Sequence, residues 1–507
     1  MTETLEMEAM QGNTATARPP FAYLGVGVLL GLSAVALLFS SGRYGFFGDE
    51  MYFIAAGHRL SFGYADQGPV LPLLARLMDA LAPGSLVALR LPAVLITLAA
   101  IVFSALIARE FGGSRTAQVL AAAAYATSPF LLLQGAQLST NVIDSALWVP
   151  ITWLLIRWVR TRHDVLLLLA GVVTAVDMQV KWLIPAFWIA VVLSVLACGP
   201  RELLGRPLLW AGGAITLAAT APTLVWQARH GWPQLGMTAQ VAAEQSEIGG
   251  RILFVPIALI AAGGLGVFLL VTGLIALFRW EPLRPYRFLA PVQLLVVVAF
   301  LASNGRPYYV MGCYAAVMAA GAVWWTRKPA RWRRIFSIAL TVTSAAFVVF
   351  SLPLKPESEL RQPDSDQAAG LQIGLYGKFG WPELRDATAA AYSALPAADR
   401  EHAVIITGNY WQASALDVQR GRYGLPAIYS PNRGFGYFGT PPDTATTVLW
   451  VGGSQDDLRK HFDSVTPIGR VDSRLGFPDV TRDVTIWRCD RPHTPWSTAW
   501  PGMLNLG

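Results

Sequence analysis

Long apolar runs alternate with short polar breaks from position 22 to position 352, and a helix needs roughly 20 apolar residues to cross a hydrocarbon core. On that measure the pattern predicts eleven membrane-spanning helices, at 22–41, 86–108, 116–134, 143–158, 164–179, 182–198, 208–228, 252–278, 288–303, 310–326 and 335–352. The fifth and sixth are short and separated only by Asp177 to Lys181. The break at 41–85 is the longest between spans. Within it, 51–60 suits a short helix, and 70–81 mixes apolar residues with Arg76 and Asp79 as an interfacial helix does. Such a helix would cap a cavity at the membrane surface.

Beyond Leu352 the pattern changes. Residues 353–370 read as a polar, proline-containing linker, and 371–507 as a soluble domain. Helices are expected at 381–395, 411–420 and 455–462, and strands at 403–407, 447–451, 465–471 and 484–488. This alternation predicts a small α/β domain. Gly452-Gly453 suits a tight turn and is weak evidence for a phosphate cradle.

Composition sharpens the class. Of 507 residues only 14% are charged and 54% are hydrophobic, against about 25% charged in a soluble chain. The expectation is a polytopic α-helical membrane protein carrying a small C-terminal α/β domain. The net charge of +7 does not point to nucleic acid, because the basic residues gather in alternate short loops. That is the positive-inside pattern. Arg109 and Arg115, then Arg157, Arg160 and Arg162, then Arg201 and Arg206, mark inner loops. It places the N-terminus inside, and residues 41–85 and 371–507 outside the cytoplasm. Residues 1–20, with Glu3, Glu6 and Glu8, read as a disordered cytoplasmic tail before an uncleaved first span. Cys198, Cys313 and Cys489 imply no disulfide framework.

The candidate chemistry lies at the outer helix ends. Gly48-Asp49-Glu50-Met51-Tyr52 follows the first span, and Tyr64-Ala65-Asp66-Gln67-Gly68-Pro69 adds a second acid. Acids this close to a membrane are costly unless something uses them. Tyr44, Phe46, Phe47, Tyr52, Phe53 and Tyr64 make the loop interface-seeking rather than simply solvated. Such an acidic pair can take a proton from an acceptor hydroxyl or hold a divalent cation. Two neighbouring carboxylates also disfavour joint ionisation. The polar run Gln134 to Asn141, with Asp144, either caps helices or lines a site. Asp177 and Lys181 are four apart and can pair, or Lys181 can face a phosphate. Arg229 and His230, between Trp226 and Trp232, suit an anionic headgroup or a metal. Arg306, beside Tyr308 and Tyr309, can snorkel or bind phosphate.

Four of these pieces, Gly48 to Tyr52, Tyr64 to Pro69, Lys181-Trp182 and Gly305-Arg306-Pro307-Tyr308-Tyr309, resemble the glycosyltransferase family 39 group of GT-C enzymes. That group includes bacterial protein mannosyltransferases and the aminoarabinose transferase. The resemblance covers roughly 20–350, and Thr407-Gly408-Asn409-Tyr410 with Gly439-Thr440-Pro441-Pro442 looks like tails of bacterial members. It implies a GT-C fold, a polyprenyl-phosphate sugar donor, and an acceptor hydroxyl on protein, lipid or wall glycan. It makes Asp49 the catalytic acid, with Glu50 beside it, and turns Asp66, Lys181, Arg229, His230, Arg306 and Tyr308 toward the donor. A divalent metal ion, if used, would draw on Asp49, Asp66 and His230. Many members carry Asp-Lys-Pro-Pro in the second piece, the lysine helping to hold the donor phosphate. Here Gln67 replaces it, so Arg306, Lys181, Arg229 or His230 has to supply the cation. The resemblance also implies direct displacement with inversion.

Two other readings fit the composition. A transporter or lipid flippase would carry two related halves with broken helices near the bilayer midplane, and the sequence shows no such repeat. A non-catalytic cell-envelope assembly protein leaves the acidic loop unexplained.

Overall fold

The computed structural model describes residues 18–328 and 330–507. The tail expected at 1–20 lies, up to residue 17, outside them. Helices occupy all eleven apolar runs. Seven are long and apolar enough to cross a membrane: Tyr23–Ser41, Leu86–Glu110, Thr140–Thr161, Pro207–Arg229, Gly250–Arg279, Pro307–Thr326 and Arg331–Ser351. An eighth is broken, with Arg115–Ala126 and Pro129–Ala136 bent by 69°. Pro129 disfavours helical geometry in the residue before it, and Ser128 is extended there, at ψ 117°. Val165–Met178, Ile184–Cys198 and Leu289–Ala302 are apolar but shorter. The protein is thus a multi-span membrane protein.

The 41–85 loop is folded. Gly48–Gly57 is a helix, buried over nearly its whole length. Val70–Leu81 packs beside it, and Arg76 Nη1 donates to the Gly57 carbonyl at 3.1 Å. Leu73, Leu77 and Leu81 recur every fourth residue and are 53%, 49% and 71% exposed. This apolar stripe suits a helix lying in the membrane interface. A further helix, Pro233–Glu247, follows the Pro207–Arg229 span. Its sequence is too polar for the apolar-run criterion, which missed it.

The C-terminal part is a five-stranded sheet in the order β2-β1-β3-β5-β4. The strands are β1 (Ala403–Thr407), β2 (Ile428–Tyr429), β3 (Thr447–Val451), β4 (Phe462–Val471) and β5 (Val484–Pro492). β1 runs parallel to β2 and β3, and β5 lies antiparallel between β3 and β4. All five positions of β1 and of β3 are buried, because both faces are covered. Val404 and Ile406 face a cluster closed by Trp496 and Trp500. Ile405 and Leu449 face the other way, into a cluster shared with Met51, Tyr52 and Phe53 of the loop. The helix expected at 455–462 ends at Leu458, since Phe462 is drawn into the aromatic core beside Trp450 and Trp496 and opens β4. Gly452 and Gly453 both have positive φ, as a tight turn requires.

Candidate active site

The Gly48–Gly57 helix starts against the C-terminal part. Gly48 leaves room for the Trp411 indole, since a Cβ there would lie 2.1 Å from that ring. Trp411 Nε1 therefore reaches across the helix start and donates to Asp49 Oδ1 at 2.7 Å. Tyr410 Oη donates to the same oxygen at 2.6 Å. Among the described residues no protein donor reaches Oδ2. Burial, then the Asp49 charge, raises the Tyr410 phenol well above its ordinary value, so it stays protonated and donates.

Asp49 opens onto a cavity of about 430 Å³. Asp66, Lys181, Arg306 and Tyr308 line it as well, as does Arg433 from the C-terminal part. Asp66 accepts from Tyr52 Oη at 2.9 Å. Burial pushes its carboxyl up to about 6, against the pull of that hydrogen bond and of Arg433. Gly434 is held close to this pair, because a Cβ there would sit 1.7 Å from Tyr52 Oη. Lys181 does not pair with Asp177. Its ammonium donates to Asn141 Oδ1 at 2.7 Å and lies 4.3 Å from the Tyr309 ring centre. Burial pulls Lys181 below its ordinary value, with Tyr308 and Asp144 opposing. Arg306 is bonded to Glu244 of the Pro233–Glu247 helix. The polar run at 134–141 fills both expected roles: Ser139 caps a helix, while Thr140 and Asn141 line the cavity.

Glu50 does not reach the cavity. It is fully buried and bonded by Arg90, whose Nε and Nη2 donate to its two oxygens at 2.8 and 2.7 Å. The Leu138 and Phe47 amides complete its shell at 3.0 and 2.9 Å. Arg90 also donates to the Ser41 and Gly45 carbonyls, both at 2.9 Å. Glu50 thus organises the loop, and the expected partnership with Asp49 in the chemistry is not seen. Arg229 and His230 are exposed and lie outside the cavity lining. The His230 ring stacks on Trp226 at 4.0 Å, so it does not join Asp49 and Asp66. Among the described residues no three His, Cys, Asp or Glu side chains converge to hold a metal. Gln67 is buried with its amide unpartnered and supplies no cation.

A helical membrane body with an acidic first loop folded against a small sheet domain is a GT-C, ArnT-like fold. Residues 66–226 match the family described as dolichyl-phosphate-mannose-protein mannosyltransferase. The chain is similar to ArnT from Cupriavidus metallidurans bound to undecaprenyl phosphate, at 14% identity and a TM-score of 0.59, over 92% of this chain and 98% of that one. ArnT in the apo state gives a TM-score of 0.58 at 14% identity, over 91% and 97%. The arabinofuranosyltransferase AftD from Mycobacteria gives 0.50 at 15% identity, over 91% of this chain and 41% of that one. None of the curated proteins matches the chain in sequence.

Proposed function

We propose that the protein transfers a sugar from a polyprenyl-phosphate donor to an acceptor hydroxyl, by direct displacement, on the extracytoplasmic face of the membrane. The observation that carries this reading is that one cavity holds the Asp49 carboxylate together with Lys181 and Arg306. Its relatives agree in kind: a likeness to ArnT bound to undecaprenyl phosphate and the match to the mannosyltransferase family.

In the proposed step the acceptor oxygen attacks the anomeric carbon and its proton passes to Asp49. The bond from that carbon to the phosphate oxygen breaks with inversion. The electron pair leaves with the phosphate, whose charge the cations stabilise. Tyr410 and Trp411 fix one Asp49 oxygen and leave the other for the acceptor. The phosphate is already a good leaving group, so a second carboxylate acting as acid is not required. The test is transfer by the purified protein from a polyprenyl-phosphate sugar, with comparison of glycoconjugates in cells with and without the gene. Loss of the gene should leave polyprenyl-phosphate sugar accumulated. An unchanged donor pool and unchanged glycoconjugates would remove the proposal.

The reading makes two smaller predictions. Asp66 is charged above about pH 6 and neutral below it. If its charge serves the site, kcat/KM falls as pH drops through that value, and Asp66→Asn flattens the acid limb. An acid limb that survives in the variant assigns it elsewhere. Orientation follows from arginine placement. Ser41 is buried, so exposed Gly42 and Ser454 are the better labelling positions. In a Cys198→Ser background, Gly42→Cys and Ser454→Cys should react with an impermeant thiol reagent in intact cells. Labelling only after lysis would invert the topology.

A further inference from the structure

Three chain segments far apart in sequence meet at one carboxylate. Glu244 receives the Arg306 guanidinium on Oε2 and the Arg433 guanidinium on Oε1. Gln240 Nε2 also donates to Oε1, at 3.2 Å. Arg306 follows the Leu289–Ala302 helix, while Arg433 belongs to the C-terminal part. Both arginines line the cavity that holds Asp49. The Arg433 guanidinium lies 5.1 Å from the centre of the Tyr410 ring, whose hydroxyl donates to Asp49. Tyr410 thus links Arg433 to the Asp49 carboxylate within one cavity.

A carboxylate gripped by two guanidiniums, one to each oxygen, presents them as two non-bridging oxygens of a phosphate would. Arginine forks suit both anions. One negative charge between two positive ones leaves the cluster cationic, so it can take the singly charged phosphodiester of the donor, whose two non-bridging oxygens fit the positions the carboxylate oxygens occupy. The helix bearing Glu244 can yield. Gln234, Leu235, Met237, Thr238 and Val241 line the cavity, but only Pro233, Met237 and Gln245 are buried. Positive-φ residues bracket it, Gly231 and Trp232 before and Gly249 and Gly250 after. Segments with few buried contacts open at low free energy. Arg433 itself sits at φ 48°, a region sparsely used by residues other than glycine, and such positions cluster at ligand clamps.

We propose that Arg306 and Arg433 together form the seat of the donor phosphate, and that Glu244 fills this seat as an internal carboxylate until a phosphate displaces it. The C-terminal part then contributes a donor-binding cation, which offsets the glutamine at position 67. The proposal rests on the transferase reading above.

The test measures binding of undecaprenyl phosphate, with inorganic phosphate as competitor, to the full-length protein in nanodiscs, alongside transfer kinetics. Arg433→Ala should weaken undecaprenyl phosphate binding by at least ~30-fold, the usual scale for truncating one partner of a buried charge pair. It should raise KM for the donor more than it lowers kcat. Arg433→Lys should restore part of the loss, which separates charge from folding. Glu244→Gln should act in the opposite direction and tighten binding ~5- to 10-fold, because the competing occupant is weakened. A Glu244 that merely holds its helix in place would instead weaken binding when changed, and that result overturns the placeholder. Unaltered affinity in Arg433→Ala, with wild-type protein binding and transferring normally, overturns the seat alone. Wild-type protein that neither binds undecaprenyl phosphate nor transfers sugar overturns the transferase reading and this proposal together.

Discussion

Asp49→Asn loses transfer by ~10² to 10⁴, the usual contribution of a general base, while the protein folds and still binds donor. The asparagine side-chain oxygen can still accept from Tyr410 and Trp411, so the anchoring at 2.6 and 2.7 Å survives. What disappears is the oxygen that takes the acceptor proton. Single-turnover transfer with purified protein measures the effect, and donor binding in the same preparation controls for folding. Near-normal turnover in Asp49→Asn would remove this carboxylate from the chemistry.

Arg90→Ala should fail in a different way. The Arg90–Glu50 pair is fully buried at both ends. Breaking such a pair from one side costs about 3–5 kcal/mol, because a charge is left buried without its partner. Arg90 also ties the end of the first span at Ser41 to the loop at Gly45. Its loss should therefore lower the thermal midpoint in detergent and expose the 41–85 loop to protease. Glu50→Gln should show the same sign, since it strands the guanidinium. A melting midpoint unchanged in both variants would refute the structural role of the pair. Asp49→Asn, by contrast, should leave the midpoint near that of the wild type.

These two adjacent acids show where the sequence was readable and where it was not. Their location after the first span was legible from the hydrophobic pattern. Their division of labour was not, because it depends on which face of a helix turn each occupies, and on Arg90, forty positions away inside another span. Each of the eleven apolar runs holds a helix, and among the described residues seven of these are long and apolar enough to cross a membrane, or eight with the bent pair. The Pro233–Glu247 helix was missed because its stabilisation is tertiary, through cavity and arginine contacts that leave no long apolar run. Lys181, Asp66 and Arg306 were legible as polar residues at helix ends, and the cavity brings them together with Asp49. Arg229 and His230 carried the same signal yet lie outside it, exposed, with the His230 ring stacked on Trp226. Arg433 was the residue missed. Its signal was a lone arginine in the glycine- and aromatic-rich run Arg433 to Gly439, which is neither strand-like nor helix-like. Tyr410 stood within a recognised tail segment, but nothing in its spacing linked it to a residue 361 positions earlier.

The cluster shared between the loop helix and the sheet also bears on engineering. Met51, Tyr52 and Phe53 are packed with Ile405, Leu416 and Leu449 in one apolar mass. Two aromatic side chains of the C-terminal part hold the Asp49 carboxylate. The part that looks like a detachable cassette is therefore not modular. Exchanging it for that of a relative would graft a new wall onto the Asp49 cavity, and a chimera built at the 353–370 junction would inherit mismatched polar contacts along with mismatched packing.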